Sequence, residues 1–250
     1  KSHISNNSTM RYETTKGQQA QLDWKESIDF ILKNGESINI NIFVLILSYS
    51  RFRIYRLSLN KTQDILFSFL NESFEAFGGV PKELLTDNMK TVMDEPRTKY
   101  SKGKVNNKFQ QFANDYGFKV CPCVAGRPNT KAKVEAPMKL LDEIRAYNGT
   151  LDFEELHELV TKLNNRINSS CHTSTGKIPI LHLENEKDFL LDLPKEQIRN
   201  QYTITTTSVK VNCQSMISYK SNQYSVPPKY IGKRLKLQVY DNQLHVYYNT

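Results

Sequence analysis

Three consecutive stretches with strand-like patterning, followed by an alternation of helices and strands, constrain the fold of this chain most. From Gln18 onward apolar residues alternate with polar ones, and an Asn34-Gly35 pair predicts a tight hairpin turn. Further strands are predicted at residues 38–47 and 52–59. Because such short connections join antiparallel strands, the first part of the chain predicts a three-stranded antiparallel meander.

After residue 60 the spacing of apolar residues becomes helical. Residues 62–77 place them three and four positions apart, and Gly78-Gly79 supplies a left-handed stop. The remaining pattern predicts a strand at 83–86 that ends on Asp87-Asn88, a helix at 106–116, a strand at 118–123 and a helix at about 131–147. The order βββ-α-β-α-β-α predicts an α/β fold with a mixed sheet, of the ribonuclease H-like class.

The second half of the chain predicts helices followed by a small β-barrel. Asp152 can cap a helix with one apolar face, and short alternating strands recur from Tyr202 to the end. Turns are predicted at Ser221-Asn222 and Asp241-Asn242. A chain of 250 residues has room for one large and one small domain. We expect a linker or tail at 1–17, the ribonuclease H-like core at 18–150, a helical extension and linker at 151–200, and the basic β-barrel at 201–250.

The formal net charge of +8 is concentrated in two stretches. Residues 97–108 carry five lysines or arginines and no acid, and residues 195–250 carry eight against two acids. Residues 151–194 are net acidic, so the positive charge is local. This distribution suggests a polyanionic partner, although on charge alone a solvated basic surface explains it equally well.

Other features of the sequence bear on its location. The longest apolar run, residues 42–47, is far too short to span a bilayer, so we expect no membrane partner. The four cysteines form no CxxC pair, which favours reduced thiols in a cytoplasmic protein. The chain begins with Lys1 and lacks a signal-peptide pattern, and we therefore interpret it as a piece of a longer protein.

Three carboxylates stand where this topology can bring them together. Asp23 ends the first predicted strand, Asp87 ends the fourth, and Glu135 lies one turn into the helix at 131–147. Carboxylates that converge repel one another unless cations compensate them. Mg²⁺ prefers oxygen ligands, and a pair of such ions promotes phosphoryl transfer. Each acid alone, among 26 in the chain, is weak evidence, whereas the three together favour a metal-dependent nuclease-like site.

Several motifs resemble those of the DDE transposases of the IstA type, which are bacterial insertion-sequence transposases related to retroviral integrase. The motifs that contain the carboxylates are Gln21-Leu22-Asp23-Trp24, Leu85-Thr86-Asp87-Asn88 and Arg127-Pro128-Asn129-Thr130-Lys131-Ala132-Lys133-Val134-Glu135. Further matches lie at Met138-Lys139, residues 144–149, residues 172–176 with Pro179, residues 224–227 and residues 230–232. Ala132 departs from the family, which usually has glycine there.

The resemblance implies that Asp23, Asp87 and Glu135 are the catalytic triad and hold Mg²⁺, with Mn²⁺ as a substitute and two ions per site. It implies a transposase that acts on element-end DNA and target DNA in the bacterial cytoplasm as a homo-oligomer. An AAA+ ATPase helper protein of the same element is implied too. So is an N-terminal helix-turn-helix region that this chain lacks.

Basic residues near the triad are candidate DNA contacts. Lys139 lies one helical turn after Glu135, and the 97–108 stretch is a candidate clamp over DNA. The predicted contacts are Lys102, Lys104, Arg127, Lys131, Lys133 and Lys139.

Two alternatives remain open. A ribonuclease H-like nuclease would cut DNA without joining it, and a non-catalytic DNA-binding protein would contain the triad only incidentally. A hydrolase built on Cys171-His172 is disfavoured, because adjacent residues seldom orient as nucleophile and base.

Overall fold

The computed structural model describes residues 14–124, 137–172 and 176–248, apart from the side chains of residues 25–27, 137–139 and 141. The strands of its first half are β1 (Gln19–Ile31), β2 (Ser37–Leu47), β3 (Arg53–Ser58), β4 (Glu83–Thr86), β5 (Met93–Glu95), β6 (Lys104–Val105) and β7 (Lys119–Pro122). Five of them form one sheet in the order β3-β2-β1-β4-β7. Strands β1 to β3 pair antiparallel, whereas β1, β4 and β7 pair parallel. The predicted meander and mixed sheet are confirmed.

The helices of this half are α1 (Gln63–Phe77), α2 (Asn107–Tyr116), α3 (Pro137–Arg145) and α4 (Phe153–Ser169). Their ends follow local signals in the sequence. The Asn106 side chain accepts from two backbone nitrogens at the start of α2, and Gly117 ends α2 with φ of 77°. Asp152 and Glu155 form a capping box at the start of α4.

The two faces of the sheet bury separate apolar clusters. Ala20, Leu22 and Trp24 face α1 and α2, and their cluster includes Phe69 and Phe112. The opposite face packs against α3 and α4. Within β1 the register shifts between Lys25 and Ile28, so the residues after the shift, such as Ile28 and Phe30, join this second cluster. The sheet is therefore covered by helices on both faces.

The small hairpin of β5 and β6 was not predicted. It lies in the stretch that follows Asp87, and its two strands pair antiparallel. Its strands are only two and three residues long and are mostly charged, so they lack the alternation that identifies a strand.

The segment between α4 and the C-terminal strands runs back over the core. It contains α5 (Pro179–Glu184), a 3₁₀ turn at Lys187–Phe189 and α6 (Glu196–Gln201). Tyr202 follows α6 and packs edge-on against Phe67 and Phe112, with ring centroids 5.4 and 4.7 Å apart. This segment is thus fixed to α1 and α2.

The C-terminal part contains five strands: β8 (Thr206–Lys210), β9 (Met216–Tyr219), β10 (Asn222–Ser225), β11 (Arg234–Tyr240) and β12 (Gln243–Tyr247). Strands β12, β11 and β8 form a three-stranded sheet, and β9 pairs with β10. Both enclose a small cluster of Val211, Ile217, Leu235 and Leu237. The first predicted turn falls one residue early, on Lys220-Ser221, whereas Asp241-Asn242 is confirmed, and all four residues have positive φ.

Hydrogen bonds and an ion pair join the C-terminal part to the core. Asn60 Nδ2 donates to Tyr240 Oη at 2.7 Å, and the backbone nitrogen of Asp241 donates to Asp64 Oδ2 at 2.9 Å. An ion pair joins Lys236 to Glu154 at 2.5 Å. In the described ranges no helix has the length and apolar character that crossing a membrane requires.

Candidate active site

Strand register places Asp23 and Asp87 side by side. Strands β1 and β4 pair parallel from Gln19 with Glu83 to Leu22 with Thr86. Asp23 and Asp87 are the next residues along these two strands. Asp87 directly follows β4 as predicted, whereas β1 continues past Asp23 to Ile31, so the prediction that Asp23 ends its strand is wrong. Because neighbouring strands lie about 4.8 Å apart, the two carboxylates extend from adjacent backbones at the point where parallel pairing ends.

Asp23 belongs to the face of the sheet that α3 and α4 cover. Its partner across the antiparallel pair is Val44, which is buried in the cluster of that face, whereas the adjacent Leu22 and Trp24 belong to the opposite cluster. Asp23 is only 5% exposed, and Asp87 is half-buried. The sheet therefore offers two carboxylates that lie partly out of bulk water.

Glu135 lies outside the described residues. Helix α3 begins two residues after it, at Pro137, and packs Leu140 and Ile144 on the face to which Asp23 belongs. Over residues 14–124, 137–172 and 176–248, no three His, Cys, Asp or Glu side chains form a group that could hold a metal ion. The structure thus places two of the three predicted residues on neighbouring backbone segments and describes the helix that follows the third.

The backbone around Asp23 is held by aromatic packing. Trp24 lies against Phe43 with ring centroids 4.0 Å apart, and Phe43 contacts Phe69 of α1 at 5.1 Å. The backbone nitrogen of Trp24 donates to Asp23 Oδ1 at 2.9 Å. A carboxylate on a buried strand with such neighbours has little freedom to move.

Asn88, which follows Asp87, ties three chain segments together. Its Nδ2 donates to the carbonyl oxygens of Cys123 at 3.1 Å and Arg97 at 3.3 Å, and its Oδ1 accepts from the Arg97 backbone nitrogen at 2.7 Å. The Arg97 guanidinium in turn donates to the Pro122 carbonyl at 2.9 Å. The end of β4 is thereby joined to the end of β7 and to the loop between β5 and β6.

These contacts change the expected role of Arg97 and add Asn88 to the residues of the site. Arg97, at the start of the stretch considered as a DNA clamp, uses its guanidinium within the protein. Sequence reasoning did not identify Asn88 as a functional residue. The one signal for such a role was its position directly after the aspartate that ends β4.

The structure describes the side chains of only some of the predicted DNA contacts. Lys102 and Lys104 are exposed on the β5–β6 hairpin, and Lys99 lies beside them, also exposed. Arg127, Lys131 and Lys133 lie outside the described residues, as does the side chain of Lys139.

Burial and nearby charges shift the pKa values of one thiol and one imidazole that bear on the hydrolase alternative. Burial raises the pKa of the Cys121 thiol in β7, and the Glu83 carboxylate raises it further. Burial lowers the pKa of His172, as do the positive charges of Arg53 and Arg51, while the adjacent Cys171 is exposed. A raised thiol pKa disfavours the reactive thiolate.

Two family models match separate parts of the chain. Residues 13–128 match the model of the integrase core domain, and residues 198–250 match that of the Mu transposase C-terminal domain. The intasome of simian T-cell lymphotropic virus contains a chain of similar fold, with a TM-score of 0.53, 15% identity, and coverage of 93% of this chain and 76% of that one.

Among curated relatives, the transposase of insertion sequence IS232 from Bacillus thuringiensis subsp. berliner is 62% identical over 96% of this chain and 56% of its own length. The putative transposase of IS5376 from Geobacillus stearothermophilus is 34% identical over 91% and 55%, respectively. The chain thus spans about half the length of these curated relatives. On these matches, the chain belongs to the insertion-sequence transposases that contain an integrase core domain and a Mu transposase C-terminal domain.

Proposed function

We propose that the protein is a DNA transposase that cleaves the 3′ ends of its insertion sequence and joins them to target DNA, with Asp23, Asp87 and Glu135 as its catalytic residues. The observation that supports this proposal is the register of β1 and β4, in which Leu22 pairs with Thr86 immediately before Asp23 and Asp87. Nothing in an ordinary buried sheet requires two acids at neighbouring positions, since like charges repel.

The donor atoms fit a hard divalent cation. Asp23 and Asp87 supply only carboxylate oxygens, which Mg²⁺ and Mn²⁺ prefer, and Glu135 would add a third carboxylate from just before α3. We propose two ions per site. When bound, the ions supply the charge that activates the attacking water or 3′-hydroxyl and stabilises the leaving oxygen.

The chain contributes fixed positions for these carboxylates. Asp23 extends from the interior of a strand whose flanking residues are buried, and Asp87 precedes the Asn88 bonds that join three segments. Such fixed placement supports catalysis, because a displacement of about 1 Å can cost on the order of 100-fold in rate.

The substrates are element-end DNA and target DNA, contacted by the basic residues of the core. Lys102 and Lys104 are exposed on the hairpin that begins after Asp87, which supports their assignment. Arg127, Lys131, Lys133 and Lys139 remain proposed contacts from their places in the motif. We extend the proposal to a homo-oligomer on DNA, an AAA+ ATPase helper and a cytoplasmic location in bacteria.

The proposal is tested by a joining assay with a labelled, pre-cleaved element end and a supercoiled target plasmid in Mg²⁺. Wild-type protein is compared with Asp87→Asn, and with Asp188→Asn as a matched control, since Asp188 is exposed and far along the chain. We expect joined product from the wild type and Asp188→Asn, and a loss of at least about 1,000-fold in Asp87→Asn, the scale on which catalytic groups are lost.

Other results identify the alternatives. Cutting without joining would identify a nuclease, and joining that survives in Asp87→Asn would refute the triad. DNA binding by wild type and Asp87→Asn alike, without cutting or joining, would favour a non-catalytic protein.

A further inference from the structure

Tyr100 stands out among the large apolar residues of the described chain, because its side chain is 98% exposed. The next most exposed of them is Leu181, at 61%. An exposed aromatic ring forgoes the stabilisation that burial gives, on the order of 1.5–3 kcal/mol. Tyr100 therefore contributes little to the fold, and its exposure needs another explanation.

The turn that presents Tyr100 is tied by short-range hydrogen bonds. Thr98 Oγ1 accepts from the backbone nitrogens of Tyr100 at 3.2 Å and Ser101 at 3.0 Å, and the Thr98 nitrogen donates to the Ser101 carbonyl at 3.0 Å. Gly103 adopts φ of +70°, and a Cβ there would come within 2.7 Å of the Glu95 carbonyl oxygen. Tyr100 thus sits on a defined hairpin tip.

The charge around the ring is positive. Lys99 and Lys102 flank Tyr100 and are exposed, and residues 96–104 contain no acid. The nearest exposed carboxylates, Asp94 and Glu95, lie in β5, and Asp94 accepts a hydrogen bond from Asn106 at 2.9 Å. An aromatic ring between ammonium groups is the combination that nucleic-acid contacts use.

The start of the hairpin tip, at Arg97, is held close to Asp87 by Asn88. The bonds of Asn88 to Arg97 and Cys123 hold the start of the tip against the end of β7. A tip anchored in this way has a set position relative to the carboxylates, so DNA that it touches is also positioned for reaction.

We propose that the hairpin tip, residues 96–103, binds target DNA, with Tyr100 packing on a base step and Lys99 and Lys102 contacting phosphates. This inference rests on the proposed function. Ring stacking and ammonium contacts tolerate any sequence, which suits a target whose sequence varies. An element end has one fixed sequence, and the tip offers few groups that could read it.

The test uses the wild-type protein and the variants Tyr100→Ala and Tyr100→Phe, with Leu181→Ala as a control for loss of another exposed apolar side chain. Joining of a pre-cleaved element end to a plasmid is measured against target concentration, and joined sites are sequenced. Binding to the element end alone is measured separately. We expect Tyr100→Ala to lower joining about tenfold and to alter the distribution of sites, as loss of a stacked ring does.

The other variants and measurements separate the contribution of the ring from that of the lysines. Tyr100→Phe keeps the ring and should join within about twofold of wild type. Element-end binding and the melting temperature should be unchanged in both variants, since the side chain is exposed. Lys99→Ala with Lys102→Ala should reduce the dependence of target binding on salt, because two phosphate contacts are lost.

Four results would overturn the inference. One is Tyr100→Ala that joins like wild type at the same sites. A second is an equal loss of element-end binding, which would assign the tip to the element end. A third is Tyr100→Phe as impaired as Tyr100→Ala, which would replace stacking by a hydroxyl contact. The fourth is an equal effect of Leu181→Ala. Failure of wild-type protein to join DNA would instead refute the proposed function.

Discussion

The side-chain oxygen of Asn88 lies 2.7 Å from the backbone nitrogen of Arg97, from which it accepts a hydrogen bond. Through its nitrogen the same side chain reaches the Cys123 carbonyl at 3.1 Å. Asn88 directly follows Asp87, so these bonds fix the backbone on one side of a proposed catalytic carboxylate. Asn88 is on this basis a positioning residue for Asp87.

Asn88→Ala should lower strand transfer by about 10- to 100-fold, because a small displacement of a reacting group costs that much. DNA binding should stay unchanged, and a higher Mg²⁺ concentration should be needed for half-maximal joining. Asn114→Ala removes an amide from the exposed face of α2 and serves as the control. Equal Mg²⁺ dependence of Asn88→Ala and wild type would show that Asn88 does not position Asp87.

Mg²⁺ should raise the melting temperature of wild-type protein but not of Asp87→Asn. A ligand that binds only the folded state stabilises it by mass action, and the loss of Asp87 removes one of the oxygen donors. In the absence of divalent ions, Asp87→Asn should melt at or above the wild-type temperature, because one like charge beside Asp23 is removed. Thermal scans with EDTA, Mg²⁺ and Ca²⁺ measure this, and an equal Mg²⁺ shift in both proteins would contradict it.

Glu186 is a buried acid that holds two distant segments. It is fully buried, and its two carboxylate oxygens accept from the backbone nitrogens of Gly17 and Ser50, both at 3.0 Å. Glu186→Ala would leave both donors buried without an acceptor, at a cost of about 2–4 kcal/mol in the free energy of unfolding. Glu186→Gln keeps one acceptor and should lose less.

Chemical denaturation measures these changes, and Glu184→Ala is the matched control. Glu184 lies nearby but is exposed, in an ion pair with Lys187, so its loss should cost less than about 1 kcal/mol. Similar unfolding free energies for the two alanine variants would contradict the role given to Glu186.

The elements that sequence predicted correctly are those whose signals lie within a few residues of one another. The Asn34-Gly35 turn, the Gly117 stop and the Asp152 N-cap each depend on residues within one or two turns of chain, so a single stretch of sequence contains the whole signal. The end of β4 before Asp87 was likewise predicted, whereas the prediction that β1 ends at Asp23 was wrong, because the strand continues through a register shift to Ile31.

The features that sequence could not predict depend on distant partners. Glu186 lies in a net acidic segment and resembles a solvated residue, because its partners are 136 and 169 positions away. In the sequence Arg97 is one of several basic residues in a row, and nothing there indicates its hydrogen bond to the Pro122 carbonyl in β7. The spacing of residues within a short stretch of sequence does not indicate contacts between residues that lie far apart in the chain.

Acidification should destabilise the protein, in part through His157. Burial lowers its pKa, and the positive charge of Arg56 lowers it further, while Glu154 opposes the shift. The folded state therefore binds the proton less readily than the unfolded state, so stability is lost as the pH falls below the unfolded pKa of about 6.5.

Melting temperatures between pH 7.5 and 5.5 should fall less steeply for His157→Gln than for wild type. Part of the fall should remain, because the pKa values of His172 and His245 are also lowered by burial. An identical slope in His157→Gln would exclude this contribution.

The hydroxyl of Tyr240 joins the C-terminal sheet to the core. It accepts from Asn60 Nδ2 at 2.7 Å and lies 2.6 Å from the Tyr247 hydroxyl. Tyr240→Phe removes both contacts but keeps the ring, so the C-terminal part should fold as before and dock more loosely. A hydrogen bond of this kind contributes about 1 kcal/mol, so its loss corresponds to roughly fivefold faster amide exchange at the contact.

Hydrogen exchange at Asp241, whose nitrogen donates to Asp64 in the core, reports the docking directly. Tyr224→Phe, which alters an exposed ring in β10, should leave that exchange rate unchanged. Unchanged exchange at Asp241 in Tyr240→Phe would mean that the other links, such as the Lys236–Glu154 ion pair, hold the two parts together without it.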